Sequence, residues 1–362
     1  MPLVYHVITD KNVGGGGRVL SSLLSHAENR FFSCRVLLPR GSLLTPYLRR
    51  KGILCEELDG VEDASFSFSS FLCFYRYLKH SPCDILVSHA SLSARMAGRA
   101  LGVPLLLAVK HCAVKGCAFP HLYRFFTHHT VAVSQNAREL LLSSKIPTDA
   151  LTVIENGVEA FFPPTFDQRK QARERFEISD GETAVGLSGR LTSVKGHRTA
   201  IEALAKALPF FPSLSLYFLG EGEEKESLLS FADTLGVTPR VHFLGFRENT
   251  LDFYHALDAH ISCSVDSETA SLSLAEGMKA GCPTFATDIP GNRARVAEGG
   301  LFFRVRDADA LAALFLSLKE KKNRERYAAM ARARAYELPS EKESAARFEE
   351  LLLSLYKKRL HF

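Results

Sequence analysis

The chain has 362 residues, 46% hydrophobic and 23% charged, a composition that excludes a disordered chain, a collagen-like repeat and a small disulfide scaffold. At roughly 150 residues per domain the length predicts about two domains. The net charge of +5 is uneven: residues 1–165 hold 17 Lys+Arg against 12 Asp+Glu, and the remainder holds 28 of each. A basic first half fits an anionic partner, either a phosphate-bearing substrate or a membrane surface. The basic residues are scattered and carry no interleaved aromatic module, which disfavours nucleic acid.

Short apolar runs alternate with amphipathic stretches. Candidate strands are 3–9, 34–38, 84–88, 104–109, 130–133 and 151–154, with helix-like stretches at 19–27 and 92–102. An Asn-Gly turn and a Pro-Pro pair at 155–168 interrupt the pattern, which restarts with strands at 183–188, 214–220, 240–245, 259–265 and 283–287. Strand and helix in series predict parallel sheets wrapped by helices, so the fold class is α/β with two Rossmann-like doubly wound domains. Their ligand is expected in a cleft at the carboxyl ends of the strands. Ser340 and Glu343 form a capping box that opens a last helix, with Phe348, Leu351, Leu352, Leu355 and Tyr356 at helical spacing.

No apolar run approaches the roughly 18 residues of a membrane span. The first ten residues lack the charged and apolar regions of a signal peptide, so the expected address is the cytoplasm. The eight cysteines form no C-x-x-C pair and read as buried reduced thiols. Cys112 and Cys117, with His111 and His121 nearby, match no common zinc spacing, so no metal site is expected there. Asp307-Ala-Asp309 looks like a metal-binding Asp-x-Asp pair, but it precedes an apolar helical stretch and reads as a helix cap.

Three motifs carry chemistry. Gly14 to Gly17 follow the first strand and precede a helix, where glycines let backbone N–H groups approach an anion. Position 19 is Val and no acid ends the next strand, which disfavours a nicotinamide cofactor. Arg190 and Lys195 sit between a strand and a helix, where two cations suit a diphosphate. Glu268 lies in a loop and Glu276 on a helix starting near Leu272, where carboxylates can accept hydrogen bonds from sugar hydroxyls.

The ordered set of motifs resembles a retaining glycosyltransferase of family 4, with the two-domain GT-B architecture. These motifs are Gly14-Gly15, Ser134, 153–158 (VIENGV), Gly189-Arg190 with Lys195-Gly196, 219–222 (LGEG), 243–245 (FLG) and the Glu268/Glu276 pair. The resemblance implies an acceptor-binding domain over 1–160, a nucleotide-sugar-binding domain over 161–339, and a helix over 340–362 that crosses back to the first domain. It implies that Gly14, Gly15 and Gly16 lie against the donor diphosphate and that Arg190 and Lys195 bind it. Glu276 would take the ribose, Glu268 the transferred sugar, and Gly220, Phe246 and Arg247 the nucleotide end. His111 matches a histidine near the sugar and the reaction centre.

Where the family often has Gly-Phe-Gly, this chain has Thr269-Ala270-Ser271, followed by Leu272, so the donor sugar does not carry over. Gly16 and Gly17 replace larger residues, which predicts a mobile glycine loop. The implied reaction is metal-independent and needs no cofactor. It moves a sugar from a UDP- or GDP-linked donor to a saccharide or lipid-linked acceptor in cell-envelope polysaccharide or lipopolysaccharide synthesis, with possible peripheral contact with an anionic membrane. The rival readings are a nucleotide-sugar epimerase of the same fold and an inactive nucleotide-sugar-binding homologue.

Overall fold

The computed structural model describes residues 1–28, 31–111, 120–159, 161–266 and 268–360. Cys112 and Cys117 fall outside the described residues, as does the side chain of His121. The strands are β1 (Leu3–Ile8), β2 (Ser33–Pro39), β3 (Cys55–Leu58), β4 (Ile85–His89), β5 (Leu105–Lys110), β6 (His129–Ala132), β7 (Leu151–Val153), β8 (Thr183–Ser188), β9 (Leu214–Leu219), β10 (Val241–Phe243), β11 (Ala259–Ser262), β12 (Thr284–Thr287) and β13 (Leu301–Phe303). The helices are α1 (Gly15–His26), α2 (Leu44–Arg50), α3 (Phe68–His80), α4 (Leu92–Ala100), α5 (Pro120–Phe126), α6 (Gln135–Ser143), α7 (Phe166–Arg175), α8 (His197–Ala207), α9 (Lys225–Thr234), α10 (Leu251–Ala256), α11 (Leu272–Lys279), α12 (Pro290–Val296), α13 (Ala308–Ser317), α14 (Lys321–Glu337) and α15 (Glu341–Leu360).

The chain divides into two compact units, Met1–Gly157 with Pro339–Phe362, and Val158–Leu338. The first holds a seven-stranded sheet in the order β3-β2-β1-β4-β5-β6-β7, and every pairing is parallel. Its central strands are buried along nearly their whole length, as expected of a parallel sheet covered on both faces. Helix α15 packs on α1. The Ser340–Glu343 capping box opens it: Glu343 N donates to Ser340 Oγ at 3.2 Å, and Ser340 N to Glu343 Oε2 at 2.7 Å. Phe348 and Leu352 are buried, and Tyr356 donates its hydroxyl proton to Asp84 Oδ1 at 3.2 Å.

The second unit holds a six-stranded sheet in the order β10-β9-β8-β11-β12-β13, again all parallel. Leu187, Leu204, Leu216, Ile261 and Phe285 form part of its core. Asp307 accepts from Ala310 N at 2.9 Å and so caps α13, and Asp309 pairs with Lys206. In both sheets the strand order reverses on either side of the first strand. Such a reversal opens a crevice at the carboxyl edge, between β1 and β4 in one sheet and between β8 and β11 in the other.

The four-glycine segment differs from expectation. Helix α1 begins at Gly15, so Gly15, Gly16 and Gly17 form its first turn and are not a mobile loop. Gly17 is a packing position: a Cβ there would stand 2.7 Å from Leu44 Cδ1. The six cysteines among the described residues are free thiols, and burial raises the pKa of Cys83 and Cys282 to about 12.

Candidate functional site

The loops after β8 and β11 flank the reversal point of the second sheet, and they carry Lys195 and Glu268. Gly196 ends the short 3-10 turn Ser193–Lys195 at φ +69°, and α8 starts at His197. A Cβ at Gly196 would stand 2.0 Å from the Cys263 carbonyl oxygen, so only glycine lets this turn lie against the end of β11. Val265 N donates to Val194 O at 2.9 Å and ties the two loops together.

Lys195 Nζ consequently reaches Glu268 Oε2 at 2.5 Å, and Ser264 Oγ donates to the same oxygen at 3.3 Å. Gly291, in the first turn of α12, supports this loop from behind: a Cβ there would fall 1.7 Å from the Glu268 carbonyl oxygen. Arg190 is exposed on the loop after β8 and makes no side-chain hydrogen bond or ion pair among the described residues.

Glu276 lies in α11, whose N-terminus Ser271 caps by accepting from Leu274 N at 3.4 Å. Thr269 and Ser271 are buried, while Ala270 and Leu272 are half-buried. The Glu276 carboxylate is buried, and its Oε2 accepts from Tyr254 Oη at 2.9 Å and Thr250 Oγ1 at 3.4 Å. Behind it, Tyr254 Oη lies 2.9 Å from Ser188 Oγ, and Ser188 Oγ lies 3.2 Å from His260 Nε2.

Tyr254 Oη donates to Glu276 Oε2, and this fixes the proton order of the row. Tyr254 gives its proton to Glu276, Ser188 gives its proton to Tyr254, and His260 gives Nε2–H to Ser188. His260 Nδ1 is then bare, and this atom has no hydrogen-bond partner among the described residues. Burial holds the His260 pKa down to about 3, which keeps the ring neutral.

The rim beyond β9 is built from backbone. Gly220 N donates to Gly245 O at 2.9 Å, and Leu191 N to Glu221 O at 2.9 Å. A Cβ at Gly220 would lie 2.0 Å from the Gly189 carbonyl oxygen. Phe246 and Arg247 follow on the exposed loop after β10, where Phe246 N points to Glu221 Oε1 at 3.5 Å.

In the first unit, Gly14 is extended (φ −93°) and precedes α1 without a side-chain cap. A Cβ at Gly15 would meet nothing within 4 Å, which leaves room for close approach, whereas one at Gly16 would stand 3.3 Å from His111 Cδ2. His111 therefore lies beside the first turn of α1. Its Nε2 is 2.8 Å from His89 Nδ1, and His89 Nε2 is 3.2 Å from His6 Nδ1. Burial lowers the His111 pKa to about 4 and the His6 pKa to about 3.

The structure thus gathers Lys195 and Glu268 in one place, with Glu276 held by its own hydrogen-bond row, and Gly16 and His111 in the other unit. Sequence reasoning missed Tyr254, Thr250, His89 and His6. Each lies in a strand, a helix or a helix boundary that looks like ordinary core, and no spacing marks them.

Comparison with known proteins identifies the family and the fold. The sequence model described as "Glycosyl transferases group 1" matches residues 168–335, and that described as "Glycosyltransferase Family 4" matches 13–160. The lipopolysaccharide core biosynthesis glycosyltransferase LpsE of Rhizobium meliloti (strain 1021) is 34% identical over 39% of this chain and 40% of its own length. The alpha-monoglucosyldiacylglycerol synthase of Streptococcus pneumoniae (strain ATCC BAA-255 / R6) is 26% identical over 63% of this chain and 57% of its own length. The chain thus matches less than two thirds of the length of either relative.

Anabaena Alr3699/HepE, solved in complex with UDP and glucose, superposes with a TM-score of 0.85 over 98% of this chain and 100% of its own, at 19% identity. With both halves matched in order on two parallel α/β units, the chain belongs to the group 1/family 4 glycosyltransferases and has the GT-B fold.

Proposed function

We propose that this protein is a retaining, metal-independent glycosyltransferase that moves a sugar from a UDP- or GDP-linked donor to a saccharide or lipid-linked hydroxyl in cell-envelope polysaccharide or lipopolysaccharide synthesis. The observation that carries this reading is the pairing of Lys195 with Glu268 at the reversal point of the second sheet. There a cation and a sugar-binding carboxylate lie side by side, as a sugar diphosphate requires.

In this reading Arg190 and Lys195 bind the diphosphate, with Gly14, Gly15 and Gly16 at the start of α1 offering it close backbone approach. Glu276 binds the ribose, and Gly220, Phe246 and Arg247 serve the nucleotide end. Glu268, with the 269–272 backbone, holds the transferred sugar, and His111 orients it. An ammonium group has three N–H donors, so Lys195 can keep Glu268 and still reach a phosphate oxygen.

As the glycosidic bond breaks, negative charge grows on the leaving nucleoside diphosphate. The two cations then bind it more strongly than in the ground state, which turns binding into catalysis. Losing one such donor typically costs about 3–4 kcal/mol of barrier.

The relatives named for lipopolysaccharide core and glycolipid synthesis, together with the basic first half, support an acceptor at an anionic membrane. Among the described residues no helix is long and apolar enough to cross a membrane.

The test is a panel of UDP- and GDP-sugars with and without extracted envelope glycolipid, assayed for release of nucleoside diphosphate. Acceptor-dependent release from one donor is expected. Consumption of the donor without acceptor would favour an epimerase, and saturable binding with no turnover an inactive homologue.

A further inference from the structure

Every strand of the first sheet starts on one edge, because all its pairings are parallel. Two phenylalanines stand just before those starts and face solvent: Phe31, before β2, is 47% exposed, and Phe125, before β6, is 53% exposed. Four strand spacings of about 4.8 Å separate β2 from β6, so the two rings bracket roughly 19 Å of this amino edge. Phe125 is fixed in place. Its ring centroid lies 4.9 Å from that of Phe126, edge-on, and the Arg99 guanidinium sits 4.7 Å above it.

Cations gather on the same edge. Arg99 lies in the last turn of α4 and Arg124 in that of α5, and both are exposed. Helix α15 brings three more. Tyr356 packs edge-on against Phe32 and donates to Asp84 Oδ1, which seats the exposed Lys357, Lys358 and Arg359 beside the strand starts. His128 lies among them: burial first, and then the charges of Arg359 and Arg99, lower its pKa to about 4. Of the acids here, Asp84 also accepts from Leu3 N at 2.7 Å, Asp149 pairs with Arg124 at 3.2 Å, and Glu28 follows α1.

A last-turn cation offsets its helix dipole, which accounts for Arg99 or Arg124 taken singly. It does not account for solvent-facing phenylalanines set among these cations. The opposite edge pairs its apolar groups differently: exposed Phe66 and Phe68 follow the exposed acids Glu62 and Asp63. A protein interface is built on a continuous apolar core, and single-stranded nucleic acid on bases stacked along a basic groove. Separate aromatic anchors among cations suit a bilayer interface, where rings settle at headgroup depth and cations meet lipid phosphate.

We propose that the amino edge of the first sheet, with Phe31, Phe125, Arg99, Arg124 and the last turn of α15, is a docking surface for an anionic lipid bilayer. The inference rests on the proposed function only for what the docked chain does there. The six residues of β1 span about 20 Å from this edge to the crevice beside β4. A chain docked on this edge therefore works on saccharide that stands out from the membrane, not on a headgroup in its plane.

Sedimentation of the full chain with vesicles tests this, using phosphatidylcholine alone and phosphatidylcholine with about one-third phosphatidylglycerol. Binding to the mixed vesicles alone is expected, and it should be largely lost by about 0.5 M salt. Lys357→Gln, Lys358→Gln and Arg359→Gln together should weaken it about a hundredfold, and Phe125→Ser several-fold. If the triple variant does not fold, Arg99→Gln combined with Phe125→Ser should weaken binding about tenfold or more.

Unchanged vesicle binding in the charge variant that folds overturns the proposal, as does equal binding to uncharged vesicles. Undiminished binding by Phe125→Ser, or tighter binding to single-stranded RNA than to mixed vesicles at equal salt, overturns a bilayer as the partner. Vesicle binding by a chain that transfers no sugar would refute the glycosyltransferase reading and leave the docking surface standing. Transfer to a soluble saccharide without vesicle binding would do the reverse.

Discussion

Glu276 shows how a buried carboxylate is held in place by hydrogen bonds. The row from His260 through Ser188 and Tyr254 ends in a donor aimed at its Oε2. Tyr254→Phe removes the donor without emptying the space, so it should destabilise the fold by about 1–3 kcal/mol. On the proposed ribose-binding role of Glu276 it should also weaken nucleotide binding, because the carboxylate loses the group that orients it. Urea unfolding and calorimetry against UDP and GDP check both effects, and wild-type values in both would contradict the account. Glu276 was visible in the sequence as a helix-borne acid eight residues after Glu268. Tyr254 was not, because it lies in a short amphipathic stretch where an aromatic reads as core. The pairing of Lys195 with Glu268 was also hidden. The sequence placed each near a strand end, but 73 residues separate them and only the strand order brings them together.

Among the elements, the turn that carries Lys195 is the most constrained. Gly196 adopts φ +69° against the Cys263 carbonyl. Gly196→Ala should cost at least the roughly 1–2 kcal/mol of a left-handed residue, with the backbone clash added. It should also pull Lys195 away from Glu268. A lower urea midpoint is expected, and an unchanged midpoint would show that the turn relaxes freely. The central strands were legible because their apolar runs are buried on both faces. The edge strands β3 and β13 were not. β3 reads Cys-Glu-Glu-Leu, two charges on an open edge, and β13 is only three residues long. The glycine run was misread because glycine is a poor helix former. In the helix a Cβ at Gly17 would press on Leu44 and one at Gly16 on His111, so the space at this turn suits glycine.

Across the whole molecule, buried histidines set a pH dependence. His111, His128 and His197 titrate near 4, and His6 and His260 near 3, in each case chiefly because burial disfavours the imidazolium. The unfolded chain takes up these protons near the ordinary value of about 6.5. Between these limits the unfolded state binds more protons, so the stability is fully present above about pH 6.5 and is lost as the pH falls through 4 towards 3. The urea midpoint should therefore drop markedly from pH 7.5 to pH 5, and a flat profile would contradict the burial of these rings. The last helix was legible from its capping box. Its place in the first unit was not written in local spacing, since it depends on contacts such as Ser344 Oγ donating to Glu155 O at 2.8 Å, 189 residues apart.

The central claim is that the carboxyl edge of the second sheet grips a sugar diphosphate through Lys195. Calorimetric titration of the wild-type chain and of Lys195→Ala with a panel of UDP- and GDP-sugars tests it most directly. The account predicts saturable binding of at least one of them, weakened about tenfold or more by the loss of a charge-assisted contact, with the thermal unfolding of the variant close to wild type. Binding of equal strength by both proteins, or by neither, would contradict it.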